Sequence, residues 1–189
     1  MVYYYYFKRS LDIILSVAAI IVLSPVLFLT AIVIFMQDFG PVIFKQLRVG
    51  KNEKTFLMLK FRSMPVKAAN VPSVEAKKIR VTFFGKIIRR TNIDELPQLF
   101  NILRGDMSIV GYRPSLPTQE HLTKLRRGNK SLYCRPGLTG LAQINSYNFM
   151  PDEEKASFDG KYAENISFLS DVKIILKTFL YLTKRPPTY

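Results

Sequence analysis

The sequence predicts an α+β fold, mainly α, in two parts: a membrane-embedded helix over residues 1–40 and a domain over residues 41–189. Three observations predict it. No residue from Ile13 to Met36 is charged, and nearly all are apolar. After Gly40-Pro41 the composition turns abruptly mixed and basic. Beyond that boundary two short apolar runs precede segments with helical spacing.

The first segment is long enough to matter. A helix over Ile13–Met36 reaches roughly 36 Å at about 1.5 Å per residue, against a hydrocarbon core of about 30 Å. The run is too long for a secretory signal's core and lacks a clear small-x-small cleavage site, so retention is expected. Tyr3 to Tyr6, then Lys8 and Arg9, read as an interfacial aromatic belt and a headgroup anchor. Ser24-Pro25 interrupts the run midway. Proline removes a backbone donor and clashes with the carbonyl of Ile21, and the Ser24 hydroxyl is placed to compensate locally. Each half alone is about 18 Å, too short to span. Basic residues flank both ends, so charge sets no inside-outside direction. Two readings stand: a re-entrant helix broken at Ser24-Pro25, and a proline-kinked spanning helix.

Val42 to Leu47 and Thr55 to Phe61, separated by Gly50, Lys51 and Asn52, read as a β-hairpin. Residues 65–78, with Pro65 and Pro72, read as a loop. Phe83, Ile87 and Arg90 fall at helical spacing. Near the end Phe168, Val172, Ile175, Leu176 and Phe179 form one helical stripe, with Lys173, Lys177 and Lys184 on another face. That pattern suits an amphipathic helix in the membrane interface and an ordinary core-facing helix alike.

Charge narrows the partners. With 28 Lys and Arg against 14 Asp and Glu, the net charge is +14. This favours nucleic acid, anionic lipid headgroups or phosphorylated substrates. One cysteine, Cys134, and one histidine, His121, exclude an internal disulfide and argue against a Cys/His zinc site. A catalytic acid or base therefore falls to Asp or Glu.

The most informative stretch is Arg89-Arg90-Thr91-Asn92-Ile93-Asp94-Glu95-Leu96-Pro97. Asn92 with Glu95 three positions on resembles a capping box, and Pro97 fits a first turn. Asp94 and Glu95 are thus expected at a helix N-terminus, where the dipole favours ionised carboxylates. Adjacent helical positions point about 100° apart, so one acid can face a phosphorus while the other holds a divalent cation. The plain alternative is two favourable first-turn acids, but the arginines upstream suit a phosphate site. Lys60 and Arg62, Arg113-Pro114 and Arg135-Pro136-Gly137 add basic residues in or beside turns. Singly, each is an ordinary surface charge.

Taken in order, Lys60-Phe61-Arg62-Ser63-Met64, Asp94-Glu95-Leu96-Pro97-Gln98-Leu99, Asn101, Gly105-Asp106-Met107-Ser108, Gly111, Arg113-Pro114 and Arg135-Pro136-Gly137-Leu138-Thr139-Gly140 resemble the bacterial sugar transferase family, the small monotopic phosphoglycosyl transferases acting on polyprenyl phosphates. The resemblance runs from about Phe7 to Leu182. It implies a re-entrant helix at Ser24-Pro25 and a cytoplasmic catalytic domain on the bacterial inner membrane, among anionic lipids. It also implies transfer of a sugar 1-phosphate from a UDP-sugar to undecaprenyl phosphate, releasing UMP, as the first membrane step of glycoconjugate biosynthesis. In that pattern Asp94 matches the nucleophile, Glu95 the residue positioning Mg²⁺, and Arg89 a phosphate contact. Arg113 and Pro114 match the end of a Pro-Arg-Pro nucleotide-binding motif whose first proline is Tyr112 here. Lys60, Arg62 and Arg135 are further phosphate-binding candidates, and Asp106 has no role implied.

Two other classes are less consistent with the residues. A membrane-anchored nucleic-acid module calls for aromatics interleaved with the charges on a recognisable fold, and the chain has no such pattern. A non-catalytic membrane scaffold leaves the acid pair beside arginines without a purpose.

Overall fold

The structure is a computed structural model and describes residues 3–66, 81–145 and 150–183. A π-helical turn, Tyr3–Phe7, leads into α1, Lys8–Asp38. The hairpin follows as β1, Ile43–Val49, and β2, Thr55–Phe61, paired antiparallel with Ile43 opposite Phe61. Next come α2, Phe83–Arg90, and α3, Gln98–Arg104. Strand β3, Ser108–Val110, lies parallel to β4, Gly137–Thr139, with α4, Glu120–Gly128, between them in sequence. Two helices end the described chain: α5, Asp152–Glu164, and α6, Phe168–Thr183. The expected loop at 65–78 falls largely outside the described residues, as does Lys184.

Helix α1 passes through Pro25 without ending, so the expected break is a missing backbone bond inside one continuous helix. Ser24 Oγ donates to the Ile21 carbonyl at 2.8 Å, satisfying the acceptor that the proline leaves without its usual donor. One stripe of α1 packs on the body: Ala19 and Ile20 against Met58, Leu99, Ile102 and Met107, then Leu27, Ala31 and Ile34 against Phe61 and Ile88. The other faces expose Ile21, Val22, Phe28 and Leu29. Length and composition make this helix able to cross a membrane.

The residues expected to anchor headgroups serve the core instead. Lys8 Nζ pairs with Asp171 at 2.6 Å, both side chains buried, and Tyr162 Oη donates to the same carboxylate. Arg9 donates to the carbonyls of Ile102 and Leu103 in the last turn of α3. Asp12 accepts from Ser108 Oγ and Ile109 N. Buried charges so close to an apolar segment need such partners.

Helix α2 opens on Thr82, whose hydroxyl accepts from Gly85 N. It turns Ile88 inward and leaves Phe83 and Ile87 exposed. The terminal stripe divides as well. Helix α6 buries Asp171 and Ile174 and exposes Phe168, Leu169, Leu176, Phe179 and Leu180, so it carries apolar residues on two sides.

Candidate active site

The acid pair lies in a 3₁₀ turn, Ile93–Glu95, just before α3. The capping box does not form: Asn92 is left-handed at φ 54° and makes no side-chain cap bond, and Pro97 holds the position before Gln98. A left-handed asparagine is tolerated because its short polar side chain costs little there. The turn buries Asp94 and aims Glu95 at the end of the hairpin.

Glu95 is locked. Its Oε1 accepts from Lys60 Nζ at 2.7 Å and from Arg113 Nη2 at 2.8 Å. Burial opposes its ionisation, but the two cations outweigh that and hold its pKa down at about 2. Asp94 goes the other way. Burial first, then the Glu95 charge, pushes it up to about 6, against the pull of Lys60, Arg89 and Arg113. Among the described residues no donor bonds the Asp94 carboxylate. The ionised state expected of a first-turn acid is thus opposed by desolvation in this 3₁₀ turn.

Of the basic candidates, Lys60, Arg89 and Arg113 share the field of Asp94. Arg89 Nε is oriented by Ser63 Oγ at 2.8 Å. Arg62 and Arg135 are committed elsewhere: Arg62 binds Asp38 and the Ile34 carbonyl at the end of α1, and Arg135 binds the Gly105 carbonyl. Pro114 is buried and gives its carbonyl to Arg48. Asp106 receives the Asn101 amide, which also ties α3 to β2 through Leu57 and Leu59. Gly137 and Gly140 serve close packing: a side-chain carbon at either would strike Gly111 backbone.

Tyr112 holds the Arg113 loop without the proline. Its ring lies under Arg126 at 4.8 Å, its carbonyl accepts from Gly137 N, and Arg126 pairs with fully buried Asp159. Sequence reasoning missed Arg126 and Asp159. Their separation of 33 positions carries no local signal.

A divalent cation can be accommodated at one point. Lys60 and Arg113 both use Oε1 of Glu95, leaving Oε2 without a donor among the described residues, and Glu95 stays ionised. Those residues hold no cluster of three or more metal-ligating side chains. Mg²⁺ commonly takes only one or two carboxylates and completes its shell with water and phosphate oxygens, which fits.

The chain thus carries an apolar helix long enough to cross a membrane and an acid pair in the field of Lys60, Arg89 and Arg113. The chain belongs to the bacterial sugar transferase family, whose model matches residues 3–185. It is 41% identical over 181 residues to a UDP-glucose:undecaprenyl-phosphate glucose-1-phosphate transferase of Klebsiella pneumoniae, covering 91% of this chain and 39% of that protein. It is 38% identical to the UDP-N-acetylgalactosamine-undecaprenyl-phosphate N-acetylgalactosaminephosphotransferase of Aeromonas hydrophila, over 93% of this chain and 43% of the relative. The exopolysaccharide production protein ExoY of Sinorhizobium fredii is 37% identical, over 90% of this chain and 83% of the relative. The chain thus spans about two-fifths of the first two and most of the third.

Proposed function

We propose that this chain transfers a sugar 1-phosphate from a UDP-sugar to a polyprenyl phosphate, in two steps through Asp94. The observation that carries this is the unequal acid pair: Glu95 bound by two cations, Asp94 buried beside it with no hydrogen bond among the described residues. An oxygen of Asp94 attacks the sugar-bearing phosphorus, the bond to UMP breaks, and UMP leaves. A phosphate oxygen of the lipid then attacks the same phosphorus and the bond to Asp94 breaks. Two half-reactions keep the two anionic substrates from meeting at once. Lys60, Arg89 and Arg113 offset charge on the phosphates, and Glu95 is the group that would hold Mg²⁺. When bound, Mg²⁺ neutralises charge on the diphosphate.

The same reading takes residues 1–40 as a re-entrant membrane segment and residues 41–189 as a catalytic domain on the cytoplasmic face of the bacterial inner membrane. Ser24-Pro25 at mid-helix supports it, as do ties from both ends of α1 to one body, Lys8 to Asp171 and Asp38 to Arg62. Exposed Phe83, Ile87, Phe168, Leu169 and Phe179 suit contact with the membrane interface, and the net charge of +14 suits anionic lipids.

The test is incubation with UDP-sugars and Mg²⁺ but no lipid. Covalent sugar phosphate on Asp94 with matching UMP release is the expected result. Turnover with lipid but no capture without it would replace the two-step route by a ternary complex, and no turnover with any UDP-sugar would remove the enzyme reading.

A further inference from the structure

Asn101, a wholly buried residue of α3, makes three hydrogen bonds through its side-chain amide. Its Oδ1 accepts from Leu59 N at 2.9 Å, and its Nδ2 donates to the Leu57 carbonyl at 2.8 Å and to Asp106 Oδ2 at 3.1 Å. A carbonyl and an N–H on alternate residues of one strand are what a neighbouring strand would meet, so the amide fills that place for β2. Asp106 decides which way the amide faces, because a carboxylate oxygen accepts and only Nδ2 can donate to it. Gly105, at φ 91°, turns the chain past α3 so that Asp106 N donates to the Asn101 carbonyl at 3.0 Å. The two residues hold each other as well as the strand.

Both elements joined here lead to the acid pair. Lys60 follows Leu59 directly on β2, and the turn of Glu95 runs into α3. Met58 packs with Leu99 and Ile102 between them. Apolar contact is non-directional, so it holds two elements together without fixing how far one slides along the other. Directional bonds fix that. Lysine carries its charge on a long flexible stem, so the reach of Lys60 Nζ to Glu95 at 2.7 Å depends on where the two backbones stand. Arg113, the other donor to Glu95, is held separately. The Ser115 carbonyl accepts from Val49 N at 2.9 Å, and the Pro114 carbonyl from Arg48 Nη1 at 3.1 Å.

We propose that Asn101 and Asp106 are positioning residues for the transfer: the buried amide, oriented by the carboxylate, sets β2 against α3 so that Lys60 meets Glu95 beside Asp94. The kinetic consequence rests on the function proposed above. The placement of Lys60 does not, and it is read separately.

The experiment uses the full chain and two readouts. Lysine acetylation by a water-soluble ester, followed by peptide mass spectrometry, reports placement without turnover. In Asn101→Ala and Asp106→Ala, Lys60 should react at least about threefold faster than in the native protein, through local loosening of β2 on α3. Lys8, paired with Asp171 elsewhere in the fold, should keep its native rate. Asp106→Asn, whose amide oxygen can still accept from Asn101, should return Lys60 to near the native rate. UMP release without lipid should fall about tenfold in Asn101→Ala, the scale of a displacement well under 1 Å at a reacting group. The same change made on Lys60→Met should cost less than about twofold, because the amide acts through a lysine that is no longer there. Fully additive losses overturn the proposal. Asn101→Ala can misfold, so Asp106→Ala, at a half-buried position, decides alone in that case. Unchanged Lys60 reactivity in Asp106→Ala, or an equal rise at Lys8, overturns the proposal as well. No UMP release from the native protein would remove the proposed function, and Lys60 reactivity would still decide the placement.

Discussion

Glu95 takes the hydrogen bonds of both neighbouring cations and leaves Asp94, the very next carboxylate, without one among the described residues. One acid is held down at about 2 and the other pushed up to about 6. Environments that drive two carboxylates apart in this way divide their roles.

The first consequence is a pH dependence. With Asp94 near 6, UMP release in the absence of lipid should fall about tenfold per pH unit below that value and level off above it. Initial rates between pH 4.5 and 8 check this. A profile flat through pH 6 would count against Asp94 as the attacking group.

Glu95→Gln should act in two directions. Removing the adjacent charge, and freeing Lys60 and Arg113 to act on Asp94, lowers the Asp94 pKa and moves the acid limb to lower pH. The rate itself drops on the order of a hundredfold, because a group held for the phosphates and their counter-ion is lost. The residual activity's pH profile distinguishes this from simple damage, which would leave the limb in place.

Asp94→Asn should lose at least about a thousandfold in turnover yet gain stability at neutral pH. The native-state pKa lies above the ordinary value of 3.8, so the folded state holds the proton more tightly. Stability from this group is present below about pH 4 and is lost as pH rises through 6, a cost of up to about 3 kcal/mol. Asparagine removes that cost. Melting temperatures at pH 7.5 and pH 4 should show the variant ahead at the first and level with the native protein at the second.

Arg126→Met should destabilise the fold by about 3–5 kcal/mol, since Asp159 would stay buried without its cation. Adding Asp159→Leu should recover much of that loss in a double-mutant cycle. Activity in the double variant should stay below native, because the Tyr112 ring beneath Arg126 supports the loop of Arg113.

Topology has its own test. Cys134 is buried, which keeps background labelling low. Single cysteines at Tyr6 and Gln37, exposed near the two ends of α1, should both react with an impermeant thiol reagent from the cytoplasmic side. Pro25→Ala should restore the bond to Ile21 and make one end inaccessible. Opposite-side labelling of the native chain would exclude the re-entrant arrangement.

The local elements were legible because their causes are local. An uncharged apolar run makes α1, turn residues between apolar runs make the hairpin, and Ser24 covers Ile21 three positions away. The motif order likewise carried the family, but the resemblance put Arg62, Pro114 and Arg135 forward as site candidates on the same footing as Asp94, Glu95, Lys60, Arg89 and Arg113.

What the chain by itself determined, then, was which segments are apolar, where they turn, and which acids and cations stand near one another in sequence. Only the packed structure decided which cations serve the acids. Arg62 went to Asp38, Arg135 to a carbonyl and Lys8 to Asp171, because buried hydrogen-bonding groups pair with whatever the fold brings within about 3 Å. The raised pKa of Asp94 has the same origin. Desolvation depends on what surrounds a carboxylate in space, and neighbours in sequence do not report it.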